Sequence, residues 1–268
     1  MKKLALGLAA ASLMAAGAAQ AQVTVVGGGS FSSLNPAVVD GSEPPFWDNV
    51  SNDNLSLETP ACNIGFVLLN ADGADNCINE ASSSGAFGAL ASGGEYYSDG
   101  GMETPFMFSS SQNFRIRLLN SIAGSTSEIG FFTGGGDSGL PYVFTALTTD
   151  TRNAVGNSFF FSPGGLFGLY IRNNRLDNGC GSDTACSDAS GMQLQQHALF
   201  RAENGKFYVG MEDRNAAEGP VNQDQDYQDL ILEVTATPEP VSMALLASGL
   251  LGMGGVNVLR RRRNKNVA

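Results

Sequence analysis

The chain has 268 residues, with 26 acidic and 15 basic residues, a formal net charge of −11 and one histidine. Seven basic residues lie in the two ends (Lys2, Lys3, Arg260, Arg261, Arg262, Arg263 and Lys265), leaving the body between them eight bases and eighteen more acids than bases. Such a body repels phosphate backbones, which excludes a nucleic-acid partner; it suits solubility outside the cell or the uptake of divalent cations.

Met1 to Ala21 reads as a secretory signal peptide. Lys2 and Lys3 give the positive start, Leu4 to Gly17 an apolar run, and Ala19-Gln20-Ala21 the small-residue cleavage site, so the mature chain is expected to start at Gln22. The Sec translocon and signal peptidase are then its first partners. Residues 22–236 form the exported body, long enough for one all-β domain.

Within the body, helical periodicity is nearly absent. Short apolar or alternating runs are separated by Gly, Asn, Asp and Ser. The expected strands are Val23–Val26, Ile64–Leu69, Phe114–Leu119, Glu128–Phe132, Tyr142–Leu147, Ser158–Phe161, Leu166–Ile171, His197–Arg201, Lys206–Met211 and Leu230–Val234, by their β-branched and aromatic content. Asn204-Gly205 predicts a hairpin between the eighth and ninth of these. Ser82–Gly94 and Gly134–Gly139 read as loops. Many short strands with polar turns predict an antiparallel β-sandwich of jelly-roll type, with a β-barrel as the alternative. A signal helix and a carboxy-terminal transmembrane helix are expected to flank it.

The sole tryptophan, Trp47, stands beside Asp48, Asn49 and Asn54. A tryptophan so placed either packs at a strand edge or stacks on a sugar ring. The four cysteines fall into two local pairs, and in an oxidising compartment the favoured bridges are Cys62–Cys77 and Cys180–Cys186. The rival, a metal site of Cys180, Cys186 and His197, matches no common zinc spacing.

Nothing in the chain singles out catalytic machinery. There is no Gly-x-Ser-x-Gly elbow, and His197 lies in a strand-like segment without a nucleophile near it in sequence. Carboxylates abound, but none form a distinguished pair for glycoside hydrolysis. The expectation is a protein that is not an enzyme.

Five carboxylates gather at two expected strand ends: Glu212 and Asp213 after one, and Asp224, Asp226 and Asp229 before the next. Hard oxygen ligands drawn from two segments suit calcium, which takes about six to eight oxygens. The spacing is not that of an EF-hand. A solvated acidic turn whose aspartates cap backbone N–H groups is the alternative. The segment Phe207-Tyr208-Val209-Gly210-Met211-Glu212-Asp213 with Asp224-Gln225-Asp226-Tyr227-Gln228-Asp229-Leu230 resembles a strand–loop–strand pattern of exported β-sandwich proteins. Gln228 stands where that pattern has asparagine.

The end of the chain carries the most specific signal. Pro238-Glu239-Pro240 precedes the uncharged run Val241–Leu259, followed by Arg260, Arg261, Arg262 and Arg263. A helical run of this length is about 28 Å long, close to a hydrocarbon core of about 30 Å. The arginines are expected to stay on the cytoplasmic side. The two prolines hold an extended peptide just outside the membrane. Residues 237–265 resemble the PEP-CTERM sorting tail of exported bacterial proteins. That resemblance implies recognition by an exosortase, a membrane-embedded protease acting near Pro238-Glu239-Pro240. It also implies a body tethered to the inner membrane on its periplasmic side, then moved to the cell surface or released. A structural or interaction protein of the surface or of a biofilm matrix follows, in contact with extracellular polysaccharide. A calcium-dependent carbohydrate-binding or adhesive module is the alternative.

Overall fold

A computed structural model describes residues 23–34, 64–69, 85–99, 102–110, 112–121, 126–135, 139–178, 180–188, 196–213, 227 and 229–237. All of these except Thr237 belong to one compact unit, Val23–Ala236. The strands are β1 (Thr24–Gly27), β2 (Ser30–Ser33), β3 (Gly94–Asp99), β4 (Met102–Glu103), β5 (Phe106–Ser109), β6 (Asn113–Ser121), β7 (Glu128–Thr133), β8 (Val143–Thr148), β9 (Ser158–Phe161), β10 (Leu166–Asn178), β11 (Gly181–Cys186), β12 (His197–Ala202), β13 (Phe207–Met211) and β14 (Leu230–Thr237). One helix, α1 (Ile64–Leu69), is described.

The strands form two antiparallel sheets, neither closed into a barrel. The smaller runs β1-β5-β10-β7-β8, with β11 on β10; the larger runs β2-β3-β12-β13-β14-β6-β9, with β4 on β3. Alternation drives the layering. In β6, Phe114, Ile116 and Leu118 are buried while Arg115 and Arg117 point the other way. These residues join Phe167, Leu169 and Ile171 of β10 in a core drawn from both sheets. Phenylalanines dominate its centre, where Phe114 meets Phe167 at 4.6 Å and Phe131 meets Phe161 at 4.4 Å between ring centroids.

Where β5 and β10 part, Ser187 fills the ladder. Its carbonyl accepts from Phe106 N–H (2.7 Å) and its N–H donates to Leu169 O (2.9 Å). Its hydroxyl donates to Phe106 O and accepts from Leu169 N–H. Each backbone group that the divergence would leave dry thus finds a partner. Just before it, Cys180 and Cys186 form a disulfide across β11. Cys62 and Cys77 lie outside the described residues.

The segment Ile64–Leu69, expected as a strand, is the helix α1. Ile64, Val67 and Leu68, at helical spacing, are all fully buried. They pack on Ala198, Phe200, Tyr208 and Ile231, on the outer face of the larger sheet. A strand would have turned Val67 away from that face. Six apolar residues do not distinguish the two conformations by period alone. The carbonyls of Val67 and Leu68, orphaned at the helix end, accept from Gly88 and Leu90. Strands β2, β3, β4, β5 and β11 were not expected from the sequence. Gly94, read as part of a loop, opens β3.

On the same outer face Glu233, almost fully buried, accepts from Arg115 Nη2 (2.6 Å) and Lys206 Nζ (2.8 Å). Replacing it with alanine removes both pairs but leaves two cations that are a third exposed and can reach water. The expected loss is about 1–2 kcal/mol, read from the urea midpoint. Glu233 also contributes, after burial, to holding the Tyr208 hydroxyl up at about 12.

Among the described residues no helix is long and apolar enough to cross a membrane. The expected span Val241–Leu259 lies outside them, as does the signal segment.

Candidate metal centre

The hairpin at Asn204-Gly205 forms as expected, with Gly205 at φ 79° and Ala202 N–H donating to Lys206 O. It fixes the register of β12 on β13, in which His197 faces Met211. Met211 in turn faces Leu230 of β14. One step further along, Gln196, Glu212 and Asp229 therefore fall in one row across three chain segments. Glu212 N–H donates to Gln196 O at 3.0 Å, continuing the ladder.

Beside this row stands Asp213, whose N–H donates to Asp229 Oδ2 (2.9 Å). Its carbonyl accepts from Asn173 Nδ2 (3.0 Å), a side chain of β10 in the other sheet that also donates to Ser127 Oγ. The end of β13 is thus held from both sheets. One carboxylate oxygen each of Glu212, Asp213 and Asp229 lies within 4.8 Å of the others. Glu212 is 1 % exposed and Asp213 0 %. Two oxygens on one calcium ion, each roughly 2.3–2.6 Å from it, stand no more than about 5 Å apart, so this spacing fits a shared ion. Crowded carboxylates taken out of water repel each other strongly and need a cation or donors to compensate.

Above the row, Gly210 leaves space that Ile64 and the carbonyl of Tyr227 occupy; a Cβ on Gly210 would collide with both. Tyr227 is fully buried and takes φ 55°, a left-handed conformation uncommon for a side chain of its size.

Three of the five expected carboxylates, Glu212, Asp213 and Asp229, are thus brought together. Asp224 and Asp226 lie outside the described residues. So do Trp47, Pro238, Glu239, Pro240, Arg260, Arg261, Arg262 and Arg263. Gln196 was not anticipated, although the hairpin register alone pairs it with Glu212.

His197 stands on the other face of β12, toward the core. It is 1 % exposed, and neither ring nitrogen has a hydrogen-bond partner among the described residues. Its ring meets Phe106 edge-on at 6.5 Å. Burial pushes its pKa down to about 3, so the imidazole is neutral. The rival metal set of Cys180, Cys186 and His197 loses both thiolates to the disulfide.

Compared with known proteins, the chain matches no family model, no curated protein and no solved structure.

Proposed function

We propose that this chain is an exported structural or interaction protein of the cell surface or extracellular matrix. In this reading it is a jelly-roll-like β-sandwich whose strand ends at Glu212, Asp213 and Asp229 hold a calcium ion. The observation that carries the ion is the approach of these three carboxylates within 4.8 Å, two of them buried. Asp224 and Asp226, close in sequence, are the natural source of further oxygens. The ion would tie β13 to β14 and stiffen a fold that works by holding its shape.

Delivery rests on the two ends of the sequence. Residues 1–21 carry the chain through the Sec translocon. Residues 237–265, with Pro238-Glu239-Pro240, the apolar run Val241–Leu259 and Arg260–Arg263, are read as a PEP-CTERM tail presented to an exosortase-type protease. The body passes from an inner-membrane tether to the surface or the matrix. No catalytic role is proposed. The second reading, a calcium-dependent carbohydrate-binding or adhesive module, shares the same ion.

Calcium at about a hundred times its dissociation constant is expected to stabilise the protein by roughly 2–3 kcal/mol, seen as a higher melting temperature that chelation reverses. Glu212→Gln should weaken calcium binding at least tenfold by calorimetry. A protein that takes up no calcium, and whose melting ignores chelator, has no such site. Intact mass of the protein from its native host tests the tail. Loss of residues after about 238, abolished when Pro238-Glu239-Pro240 becomes Ala-Ala-Ala, is the expected result.

A further inference from the structure

The two sheets treat their outer faces differently. The larger one is covered by α1 and by Ala86 and Leu90. The smaller one carries a separate apolar cluster of Met107, Phe132, Tyr170 and the Cys180–Cys186 bridge, against which Tyr142 and Phe144 pack while staying partly exposed. These last two residues, at and just before the start of the edge strand β8, have rings parallel to within 8° and 5.8 Å apart.

The rings are held from below. Phe132 meets Tyr142 at 5.3 Å and Phe144 at 6.1 Å, both steeply tilted, and Tyr170 meets Phe144 at 4.9 Å. Two glycines make room for these supports. A Cβ on Gly168 would enter the Phe132 ring, and one on Gly130 would meet the Thr145 carbonyl first and then the Tyr170 ring. Both positions lie inside strands, where glycine weakens pairing and is retained for a close approach such as this.

Fixed polar groups stand around the rings. The Arg172 guanidinium lies 5.1 Å from the Phe144 ring centre. Its Nη1 donates to Glu128 Oε1 (2.8 Å) and its Nε to Thr184 Oγ1 (2.9 Å). Tyr170 donates to the same Glu128 oxygen. On the other side both Asp188 oxygens lie 3.4 Å from the Tyr142 hydroxyl. A pyranose has the matching character: one face of C–H bonds that packs on an aromatic ring, and a rim of hydroxyls that suits planar, two-toothed partners such as guanidinium and carboxylate. Charge decides among polymers. Arg172 is balanced by Glu128, and the body has eighteen more acids than bases, so anionic glycans and anionic lipid surfaces are repelled.

We infer that the outer face of the smaller sheet, with Tyr142 and Phe144 as its platform and Arg172, Glu128 and Asp188 as its rim, binds a neutral polysaccharide. This deepens the interaction role proposed above and does not use the carboxylates of the ion site.

The test is affinity electrophoresis of the full chain, kept in a zwitterionic detergent without a sugar headgroup. The gels contain xyloglucan, galactomannan or hydroxyethylcellulose, with alginate as the anionic control. At least one neutral polymer is expected to retard the protein, and alginate is not. The double variant Tyr142→Ala/Phe144→Ala, checked for folding by its melting temperature, should lose at least tenfold in affinity, while Tyr142→Phe/Phe144→Tyr keeps most of it. Calcium uptake is read by calorimetry and polymer binding by gel retardation on the same wild-type protein, so failure of the calcium reading and failure of this one are distinguishable. Absence of retardation by every neutral polymer, or equal retardation of the folded double-alanine variant, overturns the inference. So does a dimer in sedimentation that the double-alanine variant dissolves, since that gives the face to a second copy.

Discussion

Gly210→Val is expected to destabilise the protein by about 3 kcal/mol or more, read from urea unfolding, and to blunt its response to calcium. Gly210 sits in mid-strand, where its fully buried neighbours are Ile64 at the start of α1 and the backbone of Tyr227. A flexible side chain in the way can turn aside. The Ile64 Cδ1 in the way belongs to such a side chain, but the carbonyl of Tyr227, a buried residue already in a left-handed conformation, cannot turn, so the segment carrying Asp229 must lift. Gly205→Ala provides the contrast. Its added methyl meets nothing within 4 Å, and only the positive φ opposes it, for a cost of about 1–2 kcal/mol. Equal losses in the two variants would mean that the Tyr227 carbonyl does not close on Gly210.

Stability is expected to fall as pH drops below the ordinary histidine pKa. In the unfolded chain His197 takes up a proton near pH 6.5; in the folded protein burial delays this to about 3. Between those values the unfolded state binds more protons, so stability rises with pH across the window and the contribution is constant above it. The loss at pH 4 relative to pH 7 amounts to about 3 kcal/mol from this residue alone. Carboxylates titrate over the lower part of the same range, so the measurement is a difference. His197→Phe should flatten the slope of unfolding free energy between pH 4 and 6.5 relative to the wild type. Parallel slopes would mean that His197 finds a proton acceptor or water in the folded protein.

The β character of the body was legible because strands such as β9 and β13 are rich in β-branched and aromatic residues and β6 alternates apolar with charged ones. The hairpin at Asn204-Gly205 was legible because its turn demands a glycine at positive φ. Strands β2 and β11 were not, since Ser30–Ser33 and Gly181–Cys186 are composed mainly of small or polar residues and join the sheets through backbone pairing with β3 and β10. Helix α1 misled for the opposite reason: its run is apolar in either conformation, and only the need to cover Ala198, Phe200 and Tyr208 decides the matter. At the candidate metal centre the carboxylates announced themselves by number, but Gln196 became visible only when the hairpin register was carried one pair past the last strand residue. The aromatic face around Tyr142 was invisible in sequence. Its parts come from β5, β7, β10 and the start of β8, which only the fold brings together.

The position of β14 bears on the delivery route proposed above. The last strand of the body lies between β13 and β6, in the interior of the larger sheet. A chain that emerges amino-terminus first therefore cannot close that sheet while residues 230–237 are still in transit, because β6 and β13 have no common neighbour until they arrive. Commitment to the native state comes with the final segment. In the export route proposed above, the chain would stay pliable until that strand arrives, and Pro238, first residue of the peptide read as the sorting motif, follows the strand directly in the sequence.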